Sequence, residues 1–185
     1  MRETSLQQRF NTRRLHGFTL IELMVSIAIL AILLGIAVPG LNQFLVSNRL
    51  TSQINELVSD ISRARNEAGT RGTRVSICIA ASSTTCATSG TAWEAGRIIF
   101  TDTNGNGAID TGEAIIKYAP ALDGGTNLVS SSFTSALFIT FRPFGGLTST
   151  SGGTFTLCAP GYTEGRQISV AATGRPLASK ISTCP

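Results

Sequence analysis

The segment Asp102–Glu113 has the side chains best suited to bind a cation. Oxygen-bearing residues stand at alternate positions, Gly107 allows a sharp turn, and Glu113 can close the coordination shell. This spacing matches the calcium loop of an EF-hand at each specified position. The flanking segments, however, alternate like strands, and Asn-Gly pairs are strong signals for hairpin turns. The segment therefore predicts either a calcium site or a hairpin turn without metal.

The cysteines and the histidine limit the other chemistry. Four cysteines, Cys78, Cys86, Cys158 and Cys184, indicate two disulfide bonds in an oxidising compartment. Among the three possible connectivities we favour Cys78–Cys86 with Cys158–Cys184, because each bond closes a loop within its own region. No C-x-x-C pair occurs, and the only histidine, His16, precedes the apolar segment described below. We therefore expect neither a zinc site nor an enzyme with a histidine base.

Basic residues cluster near the C-terminus. Arg166, Arg175 and Lys180 lie in the last twenty residues, with Glu164 as the acidic residue opposing them. Arg142 joins them if its strand is a neighbour in the sheet. Such side chains contact phosphates without reading base sequence, so the cluster predicts either a DNA-binding surface or a solvated basic turn near the disulfide bond. A second basic run indicates a solvated helix end: Arg63, Arg65, Arg71 and Arg74.

These groups follow an N-terminal part with the properties of a membrane anchor. Phe18–Val38 contains 21 residues with a single charge, Glu22. As a helix it is about 30 Å long, enough to cross the hydrocarbon core of a bilayer. The basic residues of Met1–His16 place the N-terminus in the cytoplasm. Because a carboxylate in lipid is costly, we expect Glu22 to have a specific role.

The remaining chain, residues 43–185, is long enough for one globular domain. Apolar residues recur at helical spacing from Leu50, so an amphipathic helix is expected to continue to about Ala68 and to end at Gly69. Short alternating segments separated by glycine-rich turns follow. They predict strands at residues 74–79, 96–100, 113–118, 127–129, 136–141, 154–158 and 167–171. The fold predicted is α+β, with a long N-terminal α-helix, transmembrane in residues 18–42, packed on an antiparallel β-sheet domain.

The N-terminal segment resembles a known processing signal. Gly17-Phe18-Thr19-Leu20-Ile21-Glu22, with its basic leader and apolar helix, resembles the class III signal of type IV pilins and type II secretion pseudopilins. The resemblance implies that a prepilin peptidase removes residues 1–17 by cleaving after Gly17, and methylates Phe18. It also implies that Glu22 pairs with the N-terminal amine of a neighbouring subunit. Without the leader, which holds four of the 15 basic and one of the 11 acidic residues, the net charge is about +1. Bulk charge therefore does not argue for nucleic acid.

The globular part resembles one group of these proteins. The order W-x-x-G-R-I-I-F-T-D-x-N-G-N-G-x-x-D over Trp93–Asp110 resembles the GspH/FimT (FimU-like) group of minor pilins, as do the F-R-P-F-G segment Phe141–Gly145 and the closing Cys184. The resemblance implies a type IV pilin-like fold and other pilins as partners. In FimT-like members a C-terminal G-R-x-R motif is linked to DNA binding. Here Gly174-Arg175-Pro176-Leu177 keeps the first arginine and has Leu177 in place of the second.

We therefore expect a minor pilin or pseudopilin of a type IV pilus, in the filament or at its tip. It is expected to be a single-pass protein of the bacterial inner membrane, with a periplasmic domain before assembly. Extracellular double-stranded DNA is the expected ligand, bound in natural transformation by Arg142, Arg166, Arg175 and Lys180. Two alternatives stay open: a minor pseudopilin of a type II secretion system, and a pilus-assembly priming subunit that does not bind DNA.

Overall fold

The structure is a computed structural model that describes residues 17–184, except for the side chains of residues 37–39. The predicted leader up to His16 lies outside the described residues. The chain divides into two compact units, Met1–Gln43 and Phe44–Pro185. Helix α1 spans Leu20–Arg71. Thr19 caps its N-terminus, because its Oγ1 accepts a hydrogen bond from the backbone N–H of Glu22 at 3.3 Å.

In the first unit, the apolar side chains of α1 are exposed from Leu20 to Ile36. By length and composition, this helix is apolar enough to cross a membrane. Such a surface is unfavourable in water and favourable in lipid, since no internal core covers it. The first unit therefore has the properties expected of a membrane anchor.

The C-terminus of α1 differs slightly from the prediction. The helix ends at Arg71, so Gly69 lies inside it rather than at its end. Gly72 follows with φ of +63°, in the left-handed region that glycine adopts without strain. A Cβ at Gly72 would meet no neighbouring atom, so the backbone conformation, rather than crowding, favours glycine there.

In residues 17–184, eight strands form two four-stranded antiparallel sheets. The strand order is β3-β2-β1-β5 in the first sheet and β4-β6-β7-β8 in the second. The α+β fold class is confirmed, with two sheets where a single sheet was expected. The strands are β1 (Val75–Ile79), β2 (Arg97–Thr101), β3 (Ile115–Ala119), β4 (Asn127–Ser131), β5 (Phe138–Phe141), β6 (Gly153–Cys158), β7 (Gly165–Val170) and β8 (Pro176–Ile181).

Strand β8 is missing from the sequence prediction. It pairs with β7 along its whole length, from Pro176 opposite Val170 to Ile181 opposite Gly165. Only its two end residues are partly buried, and the four between them are exposed. An edge strand with so little burial has no apolar alternation, which is why the pattern gave no signal. The C-terminal basic residues therefore lie on a paired hairpin and not in a mobile tail.

One face of α1 packs against both sheets in the core of the second unit. Leu50, Ile54, Leu57 and Ile61 are buried at helical spacing, and their partners come from six of the eight strands. Trp93, in the short 3-10 helix Trp93–Ala95, packs edge-on against a phenylalanine of β6, and its indole N–H donates to Ser130 Oγ and Ala136 O. This core cluster and its partly buried neighbours begin at Val46, so we expect residues 44–185 to fold without the first unit.

The first sheet is also covered on its outer face. A smaller cluster there contains Cys78, Ile98 and Phe100, with Ile109 of the Asp102–Glu113 segment packed against it. As a result, every residue of β1 and β2 is buried. The Asp102–Glu113 segment, predicted to be either a calcium site or a hairpin turn, thus covers this face of the sheet.

Candidate functional sites

The carboxylate of Asp102 is buried and bonded within its own loop. Oδ1 accepts hydrogen bonds from the backbone N–H groups of Gly105 and Asn106, at 2.7 and 3.1 Å. Oδ2 accepts from the backbone N–H of Gly107 at 3.0 Å and from Ser76 Oγ at 2.6 Å. Gly107 has φ of +75°, and a Cβ there would overlap the ring of a phenylalanine of β5, so glycine is required. Asp102 therefore shapes a tight turn against the sheet.

The other acidic groups of this loop also hold its backbone. Glu113 Oε1 accepts from the N–H and Oγ1 of Thr103, and its Oε2 accepts from the N–H of Asp110. The Asp110 carboxylate accepts from the amides of Asn104 and Asn106, both at 2.8 Å. Within residues 17–184, no three His, Cys, Asp or Glu side chains are grouped so as to hold a metal ion. Calcium binding by this loop stays a prediction of the sequence pattern.

The four cysteines form two disulfide bonds. Cys78 pairs with Cys86, with Cα atoms 5.7 Å apart, and Cys158 pairs with Cys184, with Cα atoms 6.0 Å apart. This is the connectivity expected from the sequence, in which each bond closes a loop within its own region. The first holds the loop after β1 over the outer face of the first sheet, and the second ties the C-terminus to the end of β6.

A cluster of charges around the buried pair Asp60–Arg97 joins α1 to the first sheet, and it is missing from the sequence predictions. Arg97 of β2 is buried, and its Nε donates to Asp60 Oδ2 of α1 at 2.6 Å. Lys117 of β3 donates to Asp60 Oδ1 at 2.5 Å. Glu56, one turn before Asp60, lies 3.4 Å from Arg97 Nη2 and 3.6 Å from Lys117 Nζ. The sequence did contain one signal for this cluster. Glu56 and Asp60 are four residues apart and so share a face of α1, and the apolar strand β2 contains an arginine that needs an acidic partner.

Arg166, predicted to bind DNA, is buried against α1. Its Nη2 donates to Ser47 Oγ at 2.9 Å and its Nε to Thr51 Oγ1 at 3.3 Å, while Nη1 donates to the carbonyl of Gly165. A guanidinium bonded in this way positions β7 on the helix and is not available to a ligand on the surface. The structure thus removes Arg166 from the predicted cluster.

The turn after β5 brings together arginines from different parts of the chain. Arg142 Nη2 donates to the carbonyl of Thr148 at 2.9 Å, which fixes the side chain beside this turn. Arg65 of α1 donates from Nε to the carbonyl of Gly145 at 3.1 Å. Arg74, just after α1, lines a cleft together with Arg142. Residues distant in sequence therefore contribute to one surface.

Arg175 reaches the same turn through the hairpin between β7 and β8. Gly174 has φ of +76° and packs against Gly145 so closely that a Cβ would overlap the carbonyl oxygen. The backbone N–H of Leu147 donates to the carbonyl of Ala172 at 2.9 Å and joins the two turns. Arg175 follows Gly174 directly and is exposed. We call this surface the arginine patch: Arg65, Arg74, Arg142 and Arg175.

The arginine patch carries positive charge without acidic partners. In the described part of the chain, none of its four arginines forms a salt bridge. Four like charges on one surface attract polyanions and raise their rate of association. Two of the four, Arg65 and Arg74, were predicted to lie in a solvated helix end, because the contact with the turn after β5 is not visible in sequence.

Lys180 lies elsewhere. It is exposed on β8 opposite Arg166, whose side chain reaches Ser47 and Thr51. Thr51 and Arg65 are separated along α1 by about 21 Å at 1.5 Å per residue. Of the four predicted DNA-binding residues, the structure therefore brings Arg142 and Arg175 together and leaves Lys180 at the other end of the hairpin.

The predicted processing site lies at the N-terminus of the described residues. Gly17 and Phe18 are exposed and precede α1, and Glu22 lies in its first turn. In residues 17–184 the Glu22 carboxylate accepts no hydrogen bond, although Thr19 and Glu22 have the spacing of a capping box. The geometry is compatible with a carboxylate that meets a cation from another chain.

Two family models match the sequence. Type II transport protein GspH matches residues 53–174, and the prokaryotic N-terminal methylation motif matches residues 12–38. The first match covers more than half of the chain, and the second contains the whole Gly17–Glu22 segment. No curated protein matches the chain.

Solved structures of a minor pilin and of a minor pseudopilin match the fold of this chain. Two crystal structures of the Pseudomonas aeruginosa (strain PAO1) type IV minor pilin FimU match with TM-scores of 0.59 and 0.54, each at 24% identity. They cover 77% and 74% of this chain, and 99% and 100% of their own. The minor pseudopilin EpsH of the Vibrio cholerae type 2 secretion system matches at TM-score 0.50 and 11% identity, over 72% of this chain and 97% of its own. At these identities the likeness concerns the fold.

These findings define a class of protein: a membrane-anchored pilin-like subunit, either a minor pilin or a pseudopilin. The chain belongs to the GspH family. The predicted resemblance to the GspH/FimT group and the predicted pilin-like fold are confirmed.

Proposed function

We propose that the chain is a minor pilin of a type IV pilus, anchored in the bacterial inner membrane with its second unit in the periplasm before assembly. A prepilin peptidase cleaves after Gly17 and methylates Phe18. The Glu22 carboxylate then pairs with the N-terminal amine of a neighbouring subunit, which lowers its cost in lipid. The observation that supports this most is the match of the methylation motif to residues 12–38, where an exposed apolar helix begins. The role is assembly and binding, without catalysis.

A second candidate is a minor pseudopilin of a type II secretion system. It is favoured by the name of the matching family, type II transport protein GspH. Both candidates require the same processing and the same packing through α1. They differ in the filament that contains the chain, so recovery of the processed chain from purified type IV pili or from secretion pseudopili separates them.

We further propose that the second unit binds double-stranded DNA through the arginine patch. The patch differs from the cluster expected from sequence. It keeps Arg142 and Arg175 and also contains Arg65 and Arg74. It lacks Arg166, whose guanidinium is hydrogen-bonded to α1. Guanidinium groups contact phosphates in a bidentate manner, and several at one surface bind a duplex without reading its sequence.

The test is binding of a labelled duplex of about 20 base pairs to residues 44–185, measured by fluorescence anisotropy over a range of salt concentrations. Replacing Arg142 and Arg175 by alanine is expected to lower the slope of log affinity against log salt by about two, since two phosphate contacts are lost. The matched control is Lys180→Ala, which removes one exposed positive charge at the far end of β8 and is expected to leave the slope nearly unchanged.

Equal losses in Lys180→Ala and in a single Arg142→Ala variant would show that net charge, and not the patch, determines binding. Absence of any binding at low salt would contradict the DNA proposal and leave the assembly role unaffected. Thermal unfolding of each variant, expected to stay at the wild-type midpoint, shows whether a loss of binding reflects a loss of fold.

We propose that the Asp102–Glu113 loop acts without a metal. Its Asp102 carboxylate already accepts four hydrogen bonds, three of them from backbone N–H groups, and calcium would have to displace these donors. The melting midpoint of residues 44–185 is therefore expected to be the same in EDTA and in millimolar calcium. A rise with calcium concentration, as mass action requires for a ligand of the native state, would contradict this and support the calcium site.

A further inference from the structure

Phe144 is the most exposed large apolar side chain of the second unit, at 77%. It stands in the turn after β5, directly among the arginines of the patch. The guanidinium carbon of Arg142 lies 5.8 Å from the centroid of its ring, at cation–π distance. A ring held beside one guanidinium, with most of its surface still in solvent, presents an apolar face to a ligand.

Two clefts lie side by side, and Arg142 and Phe144 contribute to the walls of both. One cleft, of about 330 Å³, also contains Arg74, and the other, of about 420 Å³, contains Arg65. Among the described residues, no carboxylate lines either cleft. Across the two neighbouring clefts, arginine side chains therefore lie on both sides of the Phe144 ring.

From this arrangement we propose that the patch binds single-stranded nucleic acid, with an unpaired base stacked on Phe144 and the flanking phosphates held by the arginines. The inference rests on the proposed DNA binding and adds a second ligand: the same patch binds a single strand through Phe144 as well as through the arginines that contact a duplex. In a duplex the bases are covered by their neighbours, so a protruding ring gains nothing beyond the phosphate contacts. An unpaired base has a free π face, and stacking on an aromatic side chain contributes about 1–3 kcal/mol per base.

Charge and shape both favour this ligand over an acidic peptide. A single strand repeats one anion and one flat ring per nucleotide, which corresponds to the alternation of guanidinium and phenyl groups across the two clefts. The same alternation is sequence-tolerant, because every base has a π face. An acidic peptide would engage the arginines and leave Phe144 uncovered, and it is included below as a competing outcome.

The experiment compares a labelled oligothymidylate of about 20 nucleotides with a duplex of the same length, bound to residues 44–185. Phe144→Ala is expected to weaken binding of the single strand by about 5- to 150-fold and to change duplex binding less than twofold. Phe144→Trp is expected to restore single-strand binding. Leu177→Ala is the matched control, since Leu177 is also exposed, at 70%, and its loss is expected to change neither affinity.

The possible outcomes separate the two proposals. If Phe144→Ala leaves the single strand unaffected while Arg142→Ala weakens the duplex, base stacking is overturned and duplex binding stands. If neither nucleic acid binds at low salt, both proposals fail. An abasic strand of the same length retains the phosphates without the bases, and is expected to bind as weakly to the wild type as the oligothymidylate binds to Phe144→Ala. The inference would also be overturned if the abasic strand or a polyglutamate peptide bound the wild type with the same affinity as the oligothymidylate.

Discussion

Replacing Asp60 by alanine is expected to lower the free energy of unfolding of residues 44–185 by about 3–5 kcal/mol. The variant removes the carboxylate that accepts hydrogen bonds from Arg97 Nε and Lys117 Nζ. Arg97 is buried, so its guanidinium cannot regain water when its partner is lost. Denaturant unfolding followed by the fluorescence of Trp93 measures the change, because Trp93 lies in the same core.

Glu56→Ala is the matched control for this prediction. Glu56 faces the same two cations but its side chain is 44% exposed, against 1% for Asp60, so its loss is expected to cost less than about 1 kcal/mol. Comparable losses in the two variants would contradict the claim that burial makes the Asp60–Arg97 pair important.

A double variant separates charge from packing. Asp60→Leu together with Arg97→Met replaces the buried pair by apolar side chains, and is expected to recover most of the stability lost in Asp60→Ala. If the double variant is no more stable than Asp60→Ala, the loss arises from altered packing between α1 and β2. This comparison stays informative even when the single variant does not fold.

The elements with a strong periodic signal were predictable from sequence. The apolar stripe of α1 from Leu50 to Ile61 is buried as the helical spacing indicates. Strand β1 occurs where the residues alternate, and β2 occurs at a short apolar run. All of these signals come from burial, which places apolar residues at the buried positions. β8 has almost no burial, so it left no period and was missed. The division of eight strands into two sheets depends on long-range pairing that no local pattern records.

The arginine patch shows why proximity in sequence is a poor guide to a surface site. Arg166 and Arg175 are nine residues apart, yet the first is buried against α1 and the second is exposed at the other end of the hairpin. Arg65 and Arg175 are far apart in sequence, yet both adjoin Gly145, Arg65 by a hydrogen bond and Arg175 through its neighbour Gly174. The presence of arginines was enough to suggest phosphate binding. Which of them lie on one surface is determined by the packing of the two turns, which the sequence does not show.

Replacing Glu22 by alanine is expected to reduce incorporation of the chain into filaments at least about tenfold, which corresponds to a lost pairing energy of about 1.4 kcal/mol or more. The reason is that, in the proposed assembly, the N-terminal amine of the neighbouring subunit would then have no carboxylate partner in lipid. Incorporation is measured as the ratio of chain in sheared filaments to chain in membranes. Glu22 lies outside the core of the second unit, so the amount of chain in the membrane fraction is expected to stay unchanged.

Ser26→Ala is the matched control, because Ser26 lies one turn further along α1 and its hydroxyl donates to the carbonyl of Glu22 at 2.7 Å. Its loss removes a polar group from the same segment without removing the charge, so incorporation is expected to stay near the wild-type level. An equal defect in both variants would show that helix structure, and not the carboxylate, is required.

The most direct test of the proposed processing and assembly is the mass of the N-terminal peptide of the chain recovered from purified filaments, either type IV pili or secretion pseudopili. The expected peptide begins at Phe18 and carries one methyl group on its amine, and the filament that contains it identifies the system. A peptide that begins at Met1, or a chain that is processed at another bond and absent from both filaments, would contradict it.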